Sequence, residues 1–158
     1  MKHPISEIME TDVYTCPYTL SLGDVVREFR KKKVTSLPVV DDNRRVVGFV
    51  SDGDILKAVA EQKTRAIASG YSTMLFYDSE SFEDKVAALK DRNVMELATR
   101  KVMCAATDQS IGSVADVLSK RKFKKLPVVD AEGKLVGVVR RATITQYIFD
   151  LLFGEDES

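Results

Sequence analysis

The chain has 158 residues, 44% hydrophobic and 30% charged, and its 24 Lys plus Arg balance 24 Asp plus Glu. This is the composition of a soluble, core-forming chain, and zero net charge argues against a surface built for nucleic acid or an anionic membrane. A single histidine (His3), two cysteines without C-x-x-C spacing (Cys16 and Cys104) and no G-x-G-x-x-G exclude a histidine-based triad, a four-ligand zinc set and a dinucleotide fingerprint.

No apolar run approaches the roughly 18 residues of a membrane span, and the first residues lack the apolar core of a secretory signal. The isolated cysteines read as reduced thiols of a cytoplasmic protein. Gly48-Phe-Val-Ser-Asp-Gly53 has the glycine spacing of a phosphate-binding loop. Asp54 and Ile55 stand where that loop needs a lysine and a hydroxyl, and a carboxylate there would repel the phosphates.

In chain order, Asp12–Thr15 predicts a short strand. Ser21 then opens an amphipathic helix carrying Leu22, Val25, Val26 and Phe29 at helical spacing. Its end is Arg30-Lys31-Lys32-Lys33, cations suited to a helix C-terminus. Leu37–Val40 and Val46–Val50, joined by Asp41–Arg44, predict a hairpin, and a helix follows from Asp54 to about Gln62. Ser81 with Asp84 is a capping-box pattern that predicts a helix over Ser81–Arg92. The apolar stretch Tyr71–Tyr77 before it follows no clear period, and reads as a partner surface or a contact with the module itself. The series then recurs: a strand at Lys101–Cys104 and a helix with Ile111, Val114, Ala115 and Leu118 ending at Lys120-Arg121-Lys122. A hairpin of Leu126–Val129 and Leu135–Val139 follows, then a helix from Ala142 to about Phe153 and an acidic tail.

The recurrence is a tandem repeat. A shift of 89 residues aligns Ile5–Leu56 with Val94–Thr145 without a gap, with 16 identities in 52 positions. Ser36-Leu-Pro-Val-Val-Asp41 meets Lys125-Leu-Pro-Val-Val-Asp130, and Arg45-Val-Val-Gly-Phe-Val50 meets Lys134-Leu-Val-Gly-Val-Val139. Each repeat is too short to bury a large core alone. The division predicted is a first repeat over 1–62, an insert with one helix over 63–93, a second repeat over 94–153, and the tail 154–158.

Twin β-α-β-β-α repeats with a hydrophobic-Pro-Val-Val-Asp strand and a Val-Gly-Phe/Val-Val strand ending at a helix start resemble a pair of cystathionine β-synthase (CBS) domains. The resemblance covers nearly the whole chain outside the insert and tail. It implies an α/β fold of two CBS repeats packed with pseudo-twofold symmetry. It also implies a regulatory rather than enzymatic protein that senses an adenine nucleotide (AMP, ADP or ATP) in clefts between its repeats. S-adenosylmethionine or another adenosyl ligand, or a ligand-free interaction and dimerisation module, are the alternatives. A homodimer is implied as well, with Val25, Val26, Phe29 and the Val114–Leu118 stripe as apolar helical surface, part of which must cover the chain's own sheets. No nucleic acid and no membrane are expected as partners, and a regulated protein remains unidentified.

In that family the ligand motif is Ser/Thr, two residues, then Asp after the last strand, here Ser51-Asp52-Gly53-Asp54. The chemistry fits: a strand-to-helix corner aims backbone N–H groups at a phosphate, and a carboxylate accepts from the ribose hydroxyls. The same four residues also spell a plain capping box, as do Ser21–Asp24 and Ser81–Asp84. The resemblance implies that Val102 and Met103 complete the Asp54 cleft for the base, that Phe123 lines it, and that Lys124 and Lys125 approach the phosphates. A weaker second cleft would combine Arg140 and Thr143 with Val13, Tyr14, Thr35 and Ser36. Thr143 replaces the acid there, which predicts unequal clefts with one nucleotide per chain at the Asp54 side.

Overall fold

Where a strand forms is decided by which backbone it can pair with, not by side-chain preference alone. A computed structural model of the chain describes residues 3–61, 81–120 and 123–154. The stretch 71–77, residues 121–122 and most of the acidic tail lie outside the described residues. The elements run β1 (Cys16–Pro17), α1 (Leu22–Lys32), β2 (Ser36–Val40), β3 (Val46–Ser51), α2 (Asp52–Glu61), α3 (Phe82–Leu89), β4 (Ala105–Ala106), α4 (Ile111–Lys120), β5 (Lys125–Val129), β6 (Leu135–Arg140) and α5 (Arg141–Phe153). Single 3-10 turns precede each series at Ile5–Glu7 and Val94–Glu96.

The architecture is α/β, with two three-stranded sheets in the orders β1-β2-β3 and β4-β5-β6. The first strands differ from expectation. Asp12–Thr15 and Lys101–Cys104 form no strand, and β1 and β4 follow them as two-residue pieces. In the second sheet β4 pairs with the end of β5, Ala105 and Ala106 running parallel to Val128 and Val129. β5 and β6 pair antiparallel, Lys125 opposite Arg140 and Leu126 opposite Val139.

Both predicted caps are present. Ser21 Oγ accepts from Asp24 N at 3.3 Å and Ser81 Oγ accepts from Asp84 N at 3.1 Å, and Arg30, Lys31 and Lys32 fill the last turn of α1. In both hairpin turns an aspartate accepts two backbone N–H groups: Asp41 from Asn43 and Arg45, and Asp130 from Glu132 and Lys134, all at 2.9 Å.

The fold divides into two compact units: Met1–Tyr14, Val40–Val46 and Val102–Ser158 in one, Thr15–Val39 and Val47–Lys101 in the other. This partition differs from the repeats because each repeat's opening segment belongs to the unit of the other. Ile5, fully buried, packs with Ile111, Val114, Leu118, Leu126, Val128, Val139 and Ile144. Val94, its counterpart 89 residues on, is buried with Leu22, Val25, Phe29, Leu37, Val39, Val50 and Leu89. Val25, Phe29, Val114 and Leu118 therefore form core. Of the apolar helical surface expected for association, they are the part that covers the chain's own sheets.

The backbone contacts repeat in both units. Ile5 N–H donates to Gln109 O (2.7 Å) and Ile111 N–H to His3 O (2.9 Å); Val94 N–H donates to Leu20 O (2.9 Å) and Leu22 N–H to Arg92 O (2.8 Å). Glu10 exchanges two hydrogen bonds with Val138 on β6, and Thr99 does the same with Phe49 on β3. The two equivalent glycines seat these segments. A Cβ on Gly137 would lie 2.6 Å from Met9 Sδ and 2.9 Å from Glu10 O, and one on Gly48 would lie 3.3 Å from Met95 and from Thr99 O.

Gly137→Ala should therefore cost about 1–3 kcal/mol, because backbone at Glu10 must move, and Gly48→Ala clearly less. Ile5→Ala should cost about 2–5 kcal/mol although it lies five residues from the start of the chain. Urea melts check this ranking. Equal stabilities for the two glycine variants, or an Ile5→Ala variant melting like the parent, would contradict the exchange of segments.

Candidate functional site

A strand that runs straight into a helix leaves the first helical N–H groups to be satisfied by side chains. At the end of β3, Ser51 and Asp54 satisfy them reciprocally. Ser51 Oγ accepts from Asp54 N–H at 3.3 Å, while Asp54 Oδ2 accepts from Ser51 N–H at 2.9 Å and from Ser51 Oγ at 3.1 Å. The capping box is thus complete, and it uses one carboxylate oxygen. Among the described residues Oδ1 has no hydrogen-bond partner, and Asp54 is half-buried. Asp52 N–H donates to Thr35 O at 2.9 Å, which ties the corner to the entrance of β2.

Asp54 opens on a cavity of about 310 Å³ lined by Lys57, Glu61, Arg92, Glu96 and the segment Leu97–Thr99. Lys57 pairs with Glu61 at 4.0 Å, and Arg92 with Glu96 at 3.1 Å. One wall is therefore the backbone that pairs with Phe49. The other unit holds the equivalent cavity, about 410 Å³, lined by Ile8, Arg140, Ala142, Thr143, Gln146, Tyr147 and Asp150. Five of its residues correspond to lining residues of the first cavity at the 89-residue shift: Thr143 to Asp54, Gln146 to Lys57, Tyr147 to Ala58, Asp150 to Glu61 and Ile8 to Leu97.

At this second corner Arg140 Nε donates to Glu10 Oε1 at 2.6 Å, and Thr143 Oγ1 donates to the same oxygen at 3.4 Å. The exchanged segment thus brings the Glu10 carboxylate to Arg140 and Thr143. Lys125 faces Arg140 across the β5–β6 ladder. Burial lowers its pKa, Arg140 lowers it further and Glu10 opposes the shift. Arg141 is a structural residue, its guanidinium donating to Phe123 O at 3.1 Å and Leu118 O at 3.4 Å.

The expected site residues are divided between the two units. Ser51, Asp54, Thr35 and Ser36 stand in one, and Val102, Met103, Phe123, Lys124, Lys125, Val13, Tyr14, Arg140 and Thr143 stand in the other. Within these units Thr35 belongs to the Ser51 corner. Lys124 and Lys125 belong to the Arg140 corner, where Lys124 O accepts from Arg141 N–H at 2.8 Å. Tyr14, Met103 and Phe123 are 46%, 37% and 39% exposed, unusual for large apolar side chains. Val13 and Val102 are half-buried.

Sequence reasoning missed Glu10, Arg92 and Thr99. Their signal was present, since the shift pairs Glu10 with Thr99 and His3 with Arg92, but a shift reveals equivalence and not location. Neither cysteine is an activated nucleophile. Burial pushes the Cys16 thiol up to about 11, with Glu28 adding to the rise and Lys32 opposing it, and burial raises Cys104 as well. Among the described residues no three His, Cys, Asp or Glu side chains gather as a metal site, and no helix is long and apolar enough to cross a membrane.

Comparison with known proteins gives these features a family. Residues 5–61 and 94–150 match the CBS domain. The MJ1426 protein of Methanocaldococcus jannaschii is 33% identical over 156 residues, a match covering 92% of this chain and 86% of that protein. The chloroplastic CBS domain-containing protein CBSX2 of Arabidopsis thaliana is 34% identical over 133 residues, covering 80% of this chain and 54% of CBSX2. The chain thus spans about half the length of that relative. The crystal structure of CBSX2 in complex with AMP superposes with a TM-score of 0.71 at 26% identity, covering 95% of this chain and 98% of that one. With the family's sequence over both repeats and its fold over nearly all its length, this chain belongs to the CBS-domain family as a tandem pair of repeats.

Proposed function

We propose that the chain is a cytoplasmic regulatory module, not an enzyme, that binds an adenine nucleotide, with the Asp54 corner as its ribose site. The observation that carries this reading is the Asp54 carboxylate, fixed by Ser51 through one oxygen, on a residue that lines a cavity. A ribose diol needs acceptors of this kind, because a buried hydroxyl left unpaired costs about 1–3 kcal/mol. The AMP complex of CBSX2, similar over nearly its whole chain, supports the ligand class. Two free cysteines suit a reducing compartment. Ligand would act by favouring one arrangement of the molecule, which requires different affinity for two arrangements.

Calorimetry and thermal melts with AMP, ADP and ATP test this reading, with S-adenosylmethionine as the alternative adenosyl ligand. A ligand at 100 times its Kd should stabilise the fold by about 2.7 kcal/mol. Asp54→Asn keeps an acceptor for the Ser51 cap, so it should melt close to the parent yet lose about tenfold or more in affinity at this corner. Asp54→Ala should lose the cap as well, at about 1 kcal/mol. If no adenosyl ligand shifts the melt, the nucleotide reading falls, and a ligand-independent interaction module takes its place.

The same reading extends to a homodimer. Ile55, Leu56 and Val59 of α2, Val26 of α1, and Phe82 and Val86 of α3 line an apolar groove of about 710 Å³. Leu56 is 70% and Phe82 64% exposed, more apolar surface than an isolated chain ordinarily leaves in water. Light scattering should give twice the 17.6 kDa chain mass. A mass of one chain, unchanged with concentration, would overturn the dimer.

A further inference from the structure

We propose that Met9 and Met95 are oxidation sites through which a hydroperoxide releases the exchanged segments, and through Met95 weakens the Asp54 corner. The two methionines hold the same position in the two units. Met9 Sδ lies 2.6 Å from where a Cβ on Gly137 would be, and Met95 Sδ and its methyl carbon lie 3.3 Å from the same point on Gly48. The glycines are equivalent at the 89-residue shift, but the methionines are not: Met9 corresponds to Ala98 and Met95 to Ser6. Each unit thus seats a thioether on its glycine from a different place in the exchanged segment. A thioether suits such a seat because it is flexible, apolar and able to fill an irregular gap.

Sulfur also makes the seat sensitive. With hydrogen peroxide, a sulfur lone pair takes one peroxide oxygen: the O–O bond breaks, the S–O bond forms, sulfur is oxidised by two electrons and water leaves. The sulfoxide is polar. Seated as before, its oxygen would lie against a buried glycine and the apolar core, since Met9 packs on the cluster around Ile5 and Met95 on the cluster around Val94. The nearby backbone of Glu10 is already bonded to Val138, and that of Thr99 to Phe49. An oxygen buried there without a donor is costly, so the oxidised segment leaves its seat. Both methionines are half-buried rather than sealed, which leaves them open to a small oxidant. The effect on nucleotide rests on the reading of the Asp54 corner: Leu97–Thr99, just beyond Met95, walls the cavity beside Asp54, and releasing Met95 releases that wall. A thiol-dependent sulfoxide reductase reverses the step, the oxygen leaving as water while two thiols become a disulfide.

Treatment of the full chain with hydrogen peroxide, followed by peptide mass mapping, urea melts and AMP titration, tests this. Met9 and Met95 should each gain one oxygen, the urea midpoint should fall, and AMP affinity should drop about fivefold or more. Sulfoxide reductase should restore both properties, a readout that needs no variant. Leucine conserves volume and carries no sulfur, so Met9→Leu/Met95→Leu should lose neither stability nor affinity under the same treatment. That variant keeps Cys16, Cys104 and Met103, so a loss equal to the parent's would overturn the proposal and place the effect elsewhere. Met95→Leu alone should protect AMP affinity and Met9→Leu alone should not; the reverse pattern would overturn the link to the Asp54 corner. Peroxide that oxidises the exposed Met103 and leaves Met9 and Met95 intact would also overturn the proposal, as would full oxidation of both with an unchanged melt. A parent chain that binds no AMP would overturn the reading of the Asp54 corner, and the mass map and melts would still decide the oxidation sites.

Discussion

The structure depends on the exchange of opening segments between the two repeats. Each segment makes three contacts in the unit it joins. Ile5 or Val94 plugs the core, where a fully buried aliphatic side chain contributes about 1.5–3 kcal/mol. The carbonyl of His3 or Arg92 accepts an N–H from the first turn of α4 or α1, which would otherwise be unpaired. Glu10 or Thr99 then closes the outer edge of a sheet by bonding to β6 or β3. Without these segments each sheet would present an open edge and each core would lack one wall.

The chemistry of both corners follows from that exchange. Each cavity has one wall made by a strand-to-helix turn and another made by an exchanged segment, Leu97–Thr99 or Ile8. The two corners differ in how the carboxylate is anchored. The Asp54 carboxylate is held by an amide and a neutral hydroxyl. The Glu10 carboxylate is held by a guanidinium, with Lys125 opposite Arg140 on β5. One fold element repeated twice thus anchors its acid in two ways, one acid local to the helix and the other imported and held by a cation.

The hairpin turns show the same divergence within a fixed backbone. Arg44 and Gly133 occupy equivalent positions at φ 66° and 81°, a region where a side chain costs about 1–2 kcal/mol and glycine almost nothing. Arg44 has a compensating role: its Nε donates to Leu135 O at 3.1 Å and its own carbonyl accepts from Leu135 N–H at 3.0 Å. Gly133 has no such task, and nothing lies within 4 Å of where its Cβ would be. The turn tolerates strain only where a contact offsets it.

Much of this was legible in the amino-acid order because it is local. Ser21 and Ser81 cap helices through residues three positions on, Asp41 and Asp130 close turns through their own neighbours, and the period of Leu22, Val25 and Phe29 marks a buried helix face. The 89-residue shift revealed two equivalent halves, and Ser51 with Asp54 could be read as a motif because i to i+3 spacing places them together on any helix start. Tertiary structure alone decided the rest. The first strands moved to Cys16–Pro17 and Ala105–Ala106 because strand pairing is set by the partner's edge. Glu10 reached Thr143, and Val94 reached the core of the first repeat's helices, because a repeat pattern is indifferent to which copy a segment packs against. Apolar segments of the same pattern suit either core, and the equivalent glycines Gly48 and Gly137 leave room for one segment at each.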